Sequence, residues 1–459
     1  MLFSSNVFLF AYLPAVLLVY YLCPRKWRNP VLLLFSLFFY GWGEPVYLLL
    51  MIAVIVINHS CGLLIHRFRD RHAGKILAAG VAANLLILGF FKYAGFLMAQ
   101  LQALLPFLPE WEIPRIPLPI GISFYIFQSM SYIIDVYRRE VPAQKNLLTF
   151  GTYVALFPQL IAGPIVRYRD VAHQMEHRQE NAADFSSGIF LFVIGLSKKV
   201  LLANPLGNLW NQLQVQPGTL AAWVGIAAYT CQIYFDFSGY SDMARGLGRM
   251  FGFEFLENFN YPYISRSITE FWRRWHISLS TWFREYVYIP LGGNRRGLPR
   301  QILNLLIVWA LTGLWHGASW NFVLWGLYYA LLLILEKTFL LKHLQKAPGV
   351  ISHLYTVVLF TLGWALFYFE DLSALGAFLL QLFSLAPTAD AGITLIVSHL
   401  PVLGIAMLAS TPVAKMQTCS GKTSAVRFAC QLTVLAALLL LCVAALASQS
   451  YNPFIYFRF

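Results

Sequence analysis

Apolar runs long enough to cross a lipid bilayer recur along this 459-residue chain, as in YLLLMIAVIVINHSCGLLI and LTVLAALLLLCVAALA. Crossing the hydrocarbon core takes about 20 apolar residues in a helix, because lipid offers the backbone no hydrogen-bond partner and the helix supplies its own. The rest of the composition agrees: 59% of residues are hydrophobic and only 12% charged, against roughly 25% charged in ordinary globular chains. One soluble core could not bury that much apolar surface. The chain is therefore expected to be all-α and polytopic, a single membrane domain over residues 1–459.

Apolar stretches at 7–22, 31–40, 46–64, 76–97, 118–136, 147–166, 185–202, 221–240, 302–315, 322–335, 350–369, 393–410 and 429–447 are the candidate helices. They amount to about eleven to thirteen transmembrane or re-entrant segments, several too short to span alone. Basic connections at 25–28, 67–75, 138–145, 167–178, 245–300, 337–346 and 415–427 should face the cytoplasm, and the weakly charged ones at 105–117 and 204–219 the other side. Segment 147–166 has basic flanks on both ends, which breaks the alternation. Its FPQLIAGPIV, with two prolines and a glycine, has the makeup of a broken or re-entrant piece. The opening residues carry no basic stretch before their apolar run and no small-residue cleavage site after it, so they are read as a retained first helix. Aromatic clusters such as FFYGWGEPVY and YNPFIYFRF suit the headgroup layer.

The net charge of +13 arises from Lys and Arg spread over short connections, which fits positive-inside topology and not nucleic-acid binding. Six cysteines lie scattered without a CxxC pair, so neither a disulfide framework nor a zinc site is indicated. His173 and His177 have a metal-compatible spacing but are expected to sit in a polar charged loop, with no third ligand evident. No G-x-S-x-G elbow, Walker loop or dinucleotide glycine loop occurs. A serine-type hydrolase and a nucleotide-driven pump are both left without support.

Chemistry concentrates between Glu270 and His316. The block EFWRRWHISLSTWFREYVYIPLGGNRRG is too charged for a plain anchor, and LTGLWHG is too apolar for a plain loop. Read as one helix, the block puts His276 on a face with Trp272, Leu279 and Phe283, while Arg273, Ser280 and Arg284 follow the neighbouring stripe. The bland alternative is an interfacial helix with snorkelling arginines. His316 follows 316 − 276 = 40 residues later, ahead of Gly317, which permits close approach of backbone or substrate. An imidazole at membrane depth is a functional candidate by default; the plainer option is a buried histidine satisfied by a carbonyl. Upstream, IYFDFSGYSDMARGLG holds Asp236 and Asp242, which would orient a histidine, pair with Arg245 or cap a helix. A neutral imidazole in such surroundings can take a proton from a hydroxyl whose oxygen attacks a thioester.

These same residues carry a family likeness. FSSNVFLFAYLPAVLLVYYL, LPIGISFYIFQSMSYIIDVYR, FPQLIAGPIVRY, YFDFSGYSDMARGLG, the long block around His276, LTGLWHGASWNFVLWG and NPFIYFRF resemble the membrane-bound O-acyltransferases, and within them the branch that acetylates bacterial exopolysaccharides. The resemblance implies a helix bundle around a funnel or tunnel with a thin floor, where a cytoplasmic acyl donor meets an acceptor from the other side. It implies that His316 is the essential histidine and that His276 holds the second motif position, where eukaryotic relatives often have asparagine. Both are expected to be catalytic, with His276 orienting or sharing the proton. Arg273, Arg274, Trp275, Asp236, Trp315 and Asn321 are the expected donor or substrate contacts.

By the same resemblance, acetyl-CoA is the expected donor substrate, with no bound cofactor or metal. A periplasmic acetyltransferase of the SGNH-hydrolase-like type and an exopolysaccharide biosynthesis complex are the expected partners, and the bacterial inner membrane the expected location. Three rivals stand beside this reading. One is D-alanyl transfer to teichoic acid from a carrier protein. Another is a transporter or exporter whose broken helices form a pore gated by the histidines, and the last is a scaffold that needs neither histidine.

Overall fold

Inside a bilayer each backbone N–H and C=O needs an internal partner, and this chain meets that demand with helices throughout its described residues. The computed structural model describes residues 1–105, 107, 112–113, 116–414, 425–448 and 454–455. Much of the connections at 105–117 and 415–427, Cys419 and most of the aromatic terminus lie outside those residues. Among the described residues, eight helices are long and apolar enough to cross a membrane. The other segments expected from the sequence are shorter, broken or more polar, which is where the eleven to thirteen divide.

The chain forms two compact units, residues 1–192 with 243–256, and residues 193–242 with 257–459. The first unit holds α1 (Phe8–Leu22), α2 (Arg28–Gly41), α3 (Tyr47–Arg67), α4 (Ala73–Leu104), α5 (Ile122–Arg138), α6 (Leu147–Ala155), α7 (Phe157–Leu160) and α8 (Tyr168–His177). The helices α3 and α4 are tied by a reciprocal amide pair, Asn58 Nδ2 to Asn84 Oδ1 at 3.0 Å and Asn84 Nδ2 to Asn58 Oδ1 at 2.8 Å. Lipid chains are as apolar as leucine, so such polar ties and close packing hold membrane helices together. His173 and His177 sit on α8, an amphipathic helix with Val171 and Met175 buried, and not in a loop.

Segment 147–166 is broken between α6 and α7, and its loose backbone groups find side chains. Ser36 Oγ accepts from Phe157 N at 3.1 Å, Gln159 Nε2 donates to Tyr153 O at 2.6 Å, and the Tyr153 hydroxyl donates to Val166 O at 3.0 Å. The prolines explain why the helix stops there, and the three side chains explain why it can stop while buried.

Next along the chain come α9 (Ala182–Leu213) and α10 (Thr219–Met250). Residues 204–213, expected to belong to an outside connection, continue α9 as helix. Leu206, Leu209, Trp210 and Leu213 form its buried stripe. Pro205 deprives the helix of one N–H, and a π-turn over Lys198–Ala203 lies immediately before it.

The second unit continues with α11 (Ile268–Arg274), α12 (Ile277–Phe283), α13 (Leu298–His316), α14 (Trp320–Lys346), α15 (Gly349–Tyr368), α16 (Leu372–Phe383), α17 (Asp390–Ala409) and α18 (Ala425–Ser448). The helices α13 and α14 form a hairpin that crosses on glycine. A Cβ at Gly326 would stand 2.3 Å from Trp309 O, and one at Gly313 2.3 Å from Phe322 O. Alanine at an open helical site should stabilise by about 1 kcal/mol over glycine. At Gly326 the contact is backbone, so the sign reverses. Gly326→Ala is expected to cost about 1–3 kcal/mol as the hairpin is forced apart, read as a lower unfolding temperature in detergent.

Candidate active site

The two histidines occupy breaks and ends of helices. The Glu270–Arg284 block is not one helix, as its spacing predicts; it divides at Trp275 and His276 into α11 and α12. His276 takes left-handed backbone angles, φ 45° and ψ 53°, a conformation in which histidine and asparagine are over-represented among non-glycine residues. Its face-sharing with Trp272 and Leu279 is lost there. The break is held by the strand-like passage of residues 258–260: Asn260 N donates to Arg274 O at 2.9 Å and Ile277 N to Asn258 O at 3.0 Å.

Asn258 also fixes the imidazole. Its Oδ1 accepts from Ser278 N at 3.1 Å and Ser278 Oγ at 2.9 Å, while Nδ2 donates to Ser241 Oγ at 3.0 Å. A backbone N–H can only donate, so the atom facing it is the amide oxygen and the amide orientation follows. The same oxygen lies 3.2 Å from His276 Nδ1. Nδ1 therefore carries the proton in the neutral ring, and Nε2 carries the basic lone pair. The ring is 1% exposed and stands edge-on to Phe237 at 4.7 Å between centroids. Burial pushes its pKa down to about 3, so it stays neutral at ordinary pH.

His316 ends α13 and is 6% exposed. Three aromatic rings meet it edge to face: Trp315 at 5.0 Å, Trp325 at 5.0 Å and Phe367 at 5.2 Å. Trp315 is also 6.1 Å from His276, so one indole is shared by both imidazoles. Gly317 leaves room for Phe322, whose ring would lie 2.2 Å from a Cβ there. Asn321 is wholly buried and donates through Nδ2 to Phe367 O at 3.1 Å, closing the end of α15. Trp275 packs in the core, tilted against Trp364 at 4.7 Å and stacked on Phe271 at 5.6 Å.

The charged residues expected near the histidines have defined partners. Asp236 forms a buried ion pair with Lys199 at 2.6 Å and accepts from Ile455 N at 2.8 Å. Asp242 pairs with Lys198 at 2.6 Å. Arg274 is held by Glu270 at 2.9 Å and by Asn260 O at 3.1 Å, whereas Arg273 is exposed and lines a surface cleft.

Three residues that position this region were missed in the sequence. Glu336, 1% exposed and on a π-turn within α14, accepts from Ile268 N at 2.7 Å, Thr269 N at 2.8 Å and Thr269 Oγ1 at 2.6 Å. It holds the first turn of α11, and with Ser267 Oγ accepting from Glu270 N at 3.0 Å it satisfies the loose N–H groups there. Lys199 and Asn258 are the others. A carboxylate closing LLLILE and a lysine inside FVIGLSKKVLL are signals, since membrane helices rarely carry either without a task. Asn258 in ENFNYPY gives none.

A family model described as MBOAT, membrane-bound O-acyltransferase family, matches residues 135–369, a stretch that contains both histidines. The chain is 42% identical to a probable alginate O-acetylase of Azotobacter vinelandii, over the full length of both. It is 33% identical to a peptidoglycan O-acetyltransferase of Helicobacter pylori, over 82% of this chain and 78% of that one. A teichoic acid D-alanyltransferase of Bacillus subtilis is 29% identical over 60% of this chain and 78% of its own.

The Asn258 oxygen takes three buried donors, so Asn258→Leu should orphan all of them. At about 1–3 kcal/mol for each donor left without an acceptor, the variant is expected to unfold several degrees lower in detergent, while Asn258→Asp, which keeps an oxygen there, is expected to lose much less. Equal unfolding temperatures for the two variants would contradict the assignment.

Proposed function

The chain belongs to the membrane-bound O-acyltransferase family, and from that premise we propose that it carries acetyl from a thioester donor on the cytoplasmic face of a bacterial inner membrane toward the hydroxyls of an exopolysaccharide such as alginate or cellulose. It is an acyltransferase and a multi-pass membrane protein. Acetyl-CoA is the donor in this reading. A periplasmic acetyltransferase of the SGNH-hydrolase-like type works beside it within an exopolysaccharide biosynthesis complex, and the immediate acceptor is a hydroxyl of that partner or of the sugar.

His316 acts as general base. Its neutral imidazole takes the proton of the acceptor hydroxyl as that oxygen bonds to the acetyl carbon. The carbon–sulfur bond then breaks, and the leaving thiolate takes the proton from the imidazolium. His276, with its proton fixed on Nδ1 by Asn258, shares or orients that proton. A low-dielectric setting strengthens each of these interactions. The observation that carries the reading is the pair of buried imidazoles packed on one indole, Trp315, within the matched residues.

Purified protein given labelled acetyl-CoA, with and without the periplasmic partner, tests it. His316→Ala is expected to lower acetyl transfer by about 10²-fold or more, with protein level and unfolding temperature near those of the parent. His276→Asn keeps a residue suited to the left-handed backbone and should lower the rate without unfolding the break. Undiminished transfer in His316→Ala rejects the general base. Flux of an intact substrate with no donor consumed would favour a transporter instead.

A further inference from the structure

Within the first unit, where α1 ends and α2 begins, two arginines share a single buried carboxylate. Arg28 pairs with Glu180 through Nη1, and Arg178 Nε lies 3.7 Å from the same carboxylate. The Tyr20 hydroxyl completes the group, accepting from Arg178 Nε at 2.9 Å and donating to Glu180 Oε1. Burial pushes the Glu180 pKa up, but hydrogen bonds from Tyr20, its own backbone and Arg28 outweigh that and hold it below the ordinary glutamate range. The carboxylate is therefore ionised. Among the described residues neither arginine has a second carboxylate within ion-pair distance, so the trio carries one positive charge more than it balances.

The unused donors agree with that surplus. Arg28 spends Nη1 on Glu180, and its Nε is buried without a partner among the described residues. Arg178 gives Nε to Tyr20 and Nη1 to Asn29 Oδ1 at 2.6 Å, and leaves Nη2 buried and unmatched. Aromatic rings fix both guanidiniums: Arg28 Cζ lies 5.1 Å from the centre of Tyr20, and Arg178 Cζ 4.6 Å from that of Phe253. A buried donor left unmatched is costly, and a surplus buried charge more so. Arg28 is the more open of the two, with 15% of its side chain exposed against 6% for Arg178, so an anion arriving from the surface meets it first. A planar N–H fork with charge to spare is what phosphate oxygens fit.

The surroundings favour one source of phosphate. Arg25 and Lys26 beside Arg28 are exposed, and so are Leu18, Leu22 and Trp27. Cations next to apolar side chains and a tryptophan suit the level where headgroups meet acyl chains. The connections at 25–28 and 167–178 are among those that the positive-inside rule assigns to the cytoplasmic face. A soluble phosphate gains nothing from Leu18, Leu22 or Trp27, whereas acyl chains do. The added charge of Arg25 and Lys26 favours a headgroup of net negative charge over one whose phosphate is balanced by its own ammonium.

We propose that Arg28, backed by Arg178 and Glu180, seats the headgroup phosphate of an anionic phospholipid of the cytoplasmic leaflet where α1, α2 and the end of α8 meet. The inference goes beyond acyl transfer and does not depend on it.

The probes are phosphatidylglycerol, phosphatidylcholine with the same chains, and glycerol 3-phosphate. Each is offered to the purified full-length protein in neutral detergent and followed by native mass spectrometry and by unfolding temperature. Phosphatidylglycerol is expected to bind and to raise the unfolding temperature, and to bind at least about tenfold more weakly to Arg28→Gln. Arg28→Lys keeps the charge but not the fork and should fall between. Arg25→Gln/Lys26→Gln leaves the buried trio intact, which guards against loss of folding, and should weaken binding by a smaller factor.

Equal affinity for phosphatidylglycerol in the parent and in all three variants would overturn the inference, as would equal binding of phosphatidylcholine and phosphatidylglycerol by the parent. Glycerol 3-phosphate binding as tightly as the lipid would overturn it too, since the site would then be one for a soluble phosphate.

Discussion

A helix that ends inside an apolar bundle must hand its loose backbone groups to a partner, and the candidate site of this chain is built around meeting that demand. Helices running cleanly through the bilayer satisfy themselves; broken ones do not. The chain breaks its helices where it needs side chains turned inward, and next to each break it has a polar side chain. Asn258 stands at the division between α11 and α12, and Glu336 at the start of α11. Ser36, Gln159 and Tyr153 do the same for the division between α6 and α7. Without those partners each buried N–H or carbonyl would cost on the order of 1–3 kcal/mol. The site is a set of paid-for interruptions.

Around those interruptions the second unit is packed with rings. Trp272, Trp309, Trp325 and Tyr329 meet at 4.7 to 6.1 Å between centroids, and Trp325 continues the cluster to His316. Rigid aromatic neighbours fix an imidazole's plane without neutralising it, which suits the proton exchange proposed for His316. The carboxylates are kept out of that role. Asp236 is tied to Lys199 at 2.6 Å with both side chains nearly buried, a pair whose separation would cost about 3–5 kcal/mol. An ion pair of that kind anchors structure, and the imidazoles face rings instead.

Much of this was readable from residues alone. The long apolar runs announced α3, α13, α15, α17 and α18 to within a few residues, because lipid leaves an apolar run of that length no other stable form, whereas α4 and α14 run on past the expected ends at 97 and 335 to Leu104 and Lys346. The double proline of FPQLIAGPIV announced the break near α7. The block around His276 was misread as one helix because its apolar spacing runs through Trp275 without a proline or glycine to stop it; the stop comes from Asn258, some 18 residues back in sequence, through hydrogen bonds no local pattern encodes. Residues 204–219 looked like a loop because Pro205, Asn and Gln dominate the count, while the buried stripe of Leu206, Leu209, Trp210 and Leu213 decided the outcome. His316 stood out as a candidate because an imidazole within WHG, at the end of an apolar run, is costly to place there.

The left-handed backbone at His276 has a corollary for the side chain. Most side chains clash with their own carbonyl in that conformation, by about 1–2 kcal/mol, and only glycine, asparagine, aspartate and a few polar residues visit it at ease. Position 276 therefore draws on a short alphabet before chemistry has any say, and asparagine belongs to it as well as histidine. One hydrogen-bonding group could replace another here while the chain path stayed put, so the backbone constraint and the chemistry of the side chain are separable at this position.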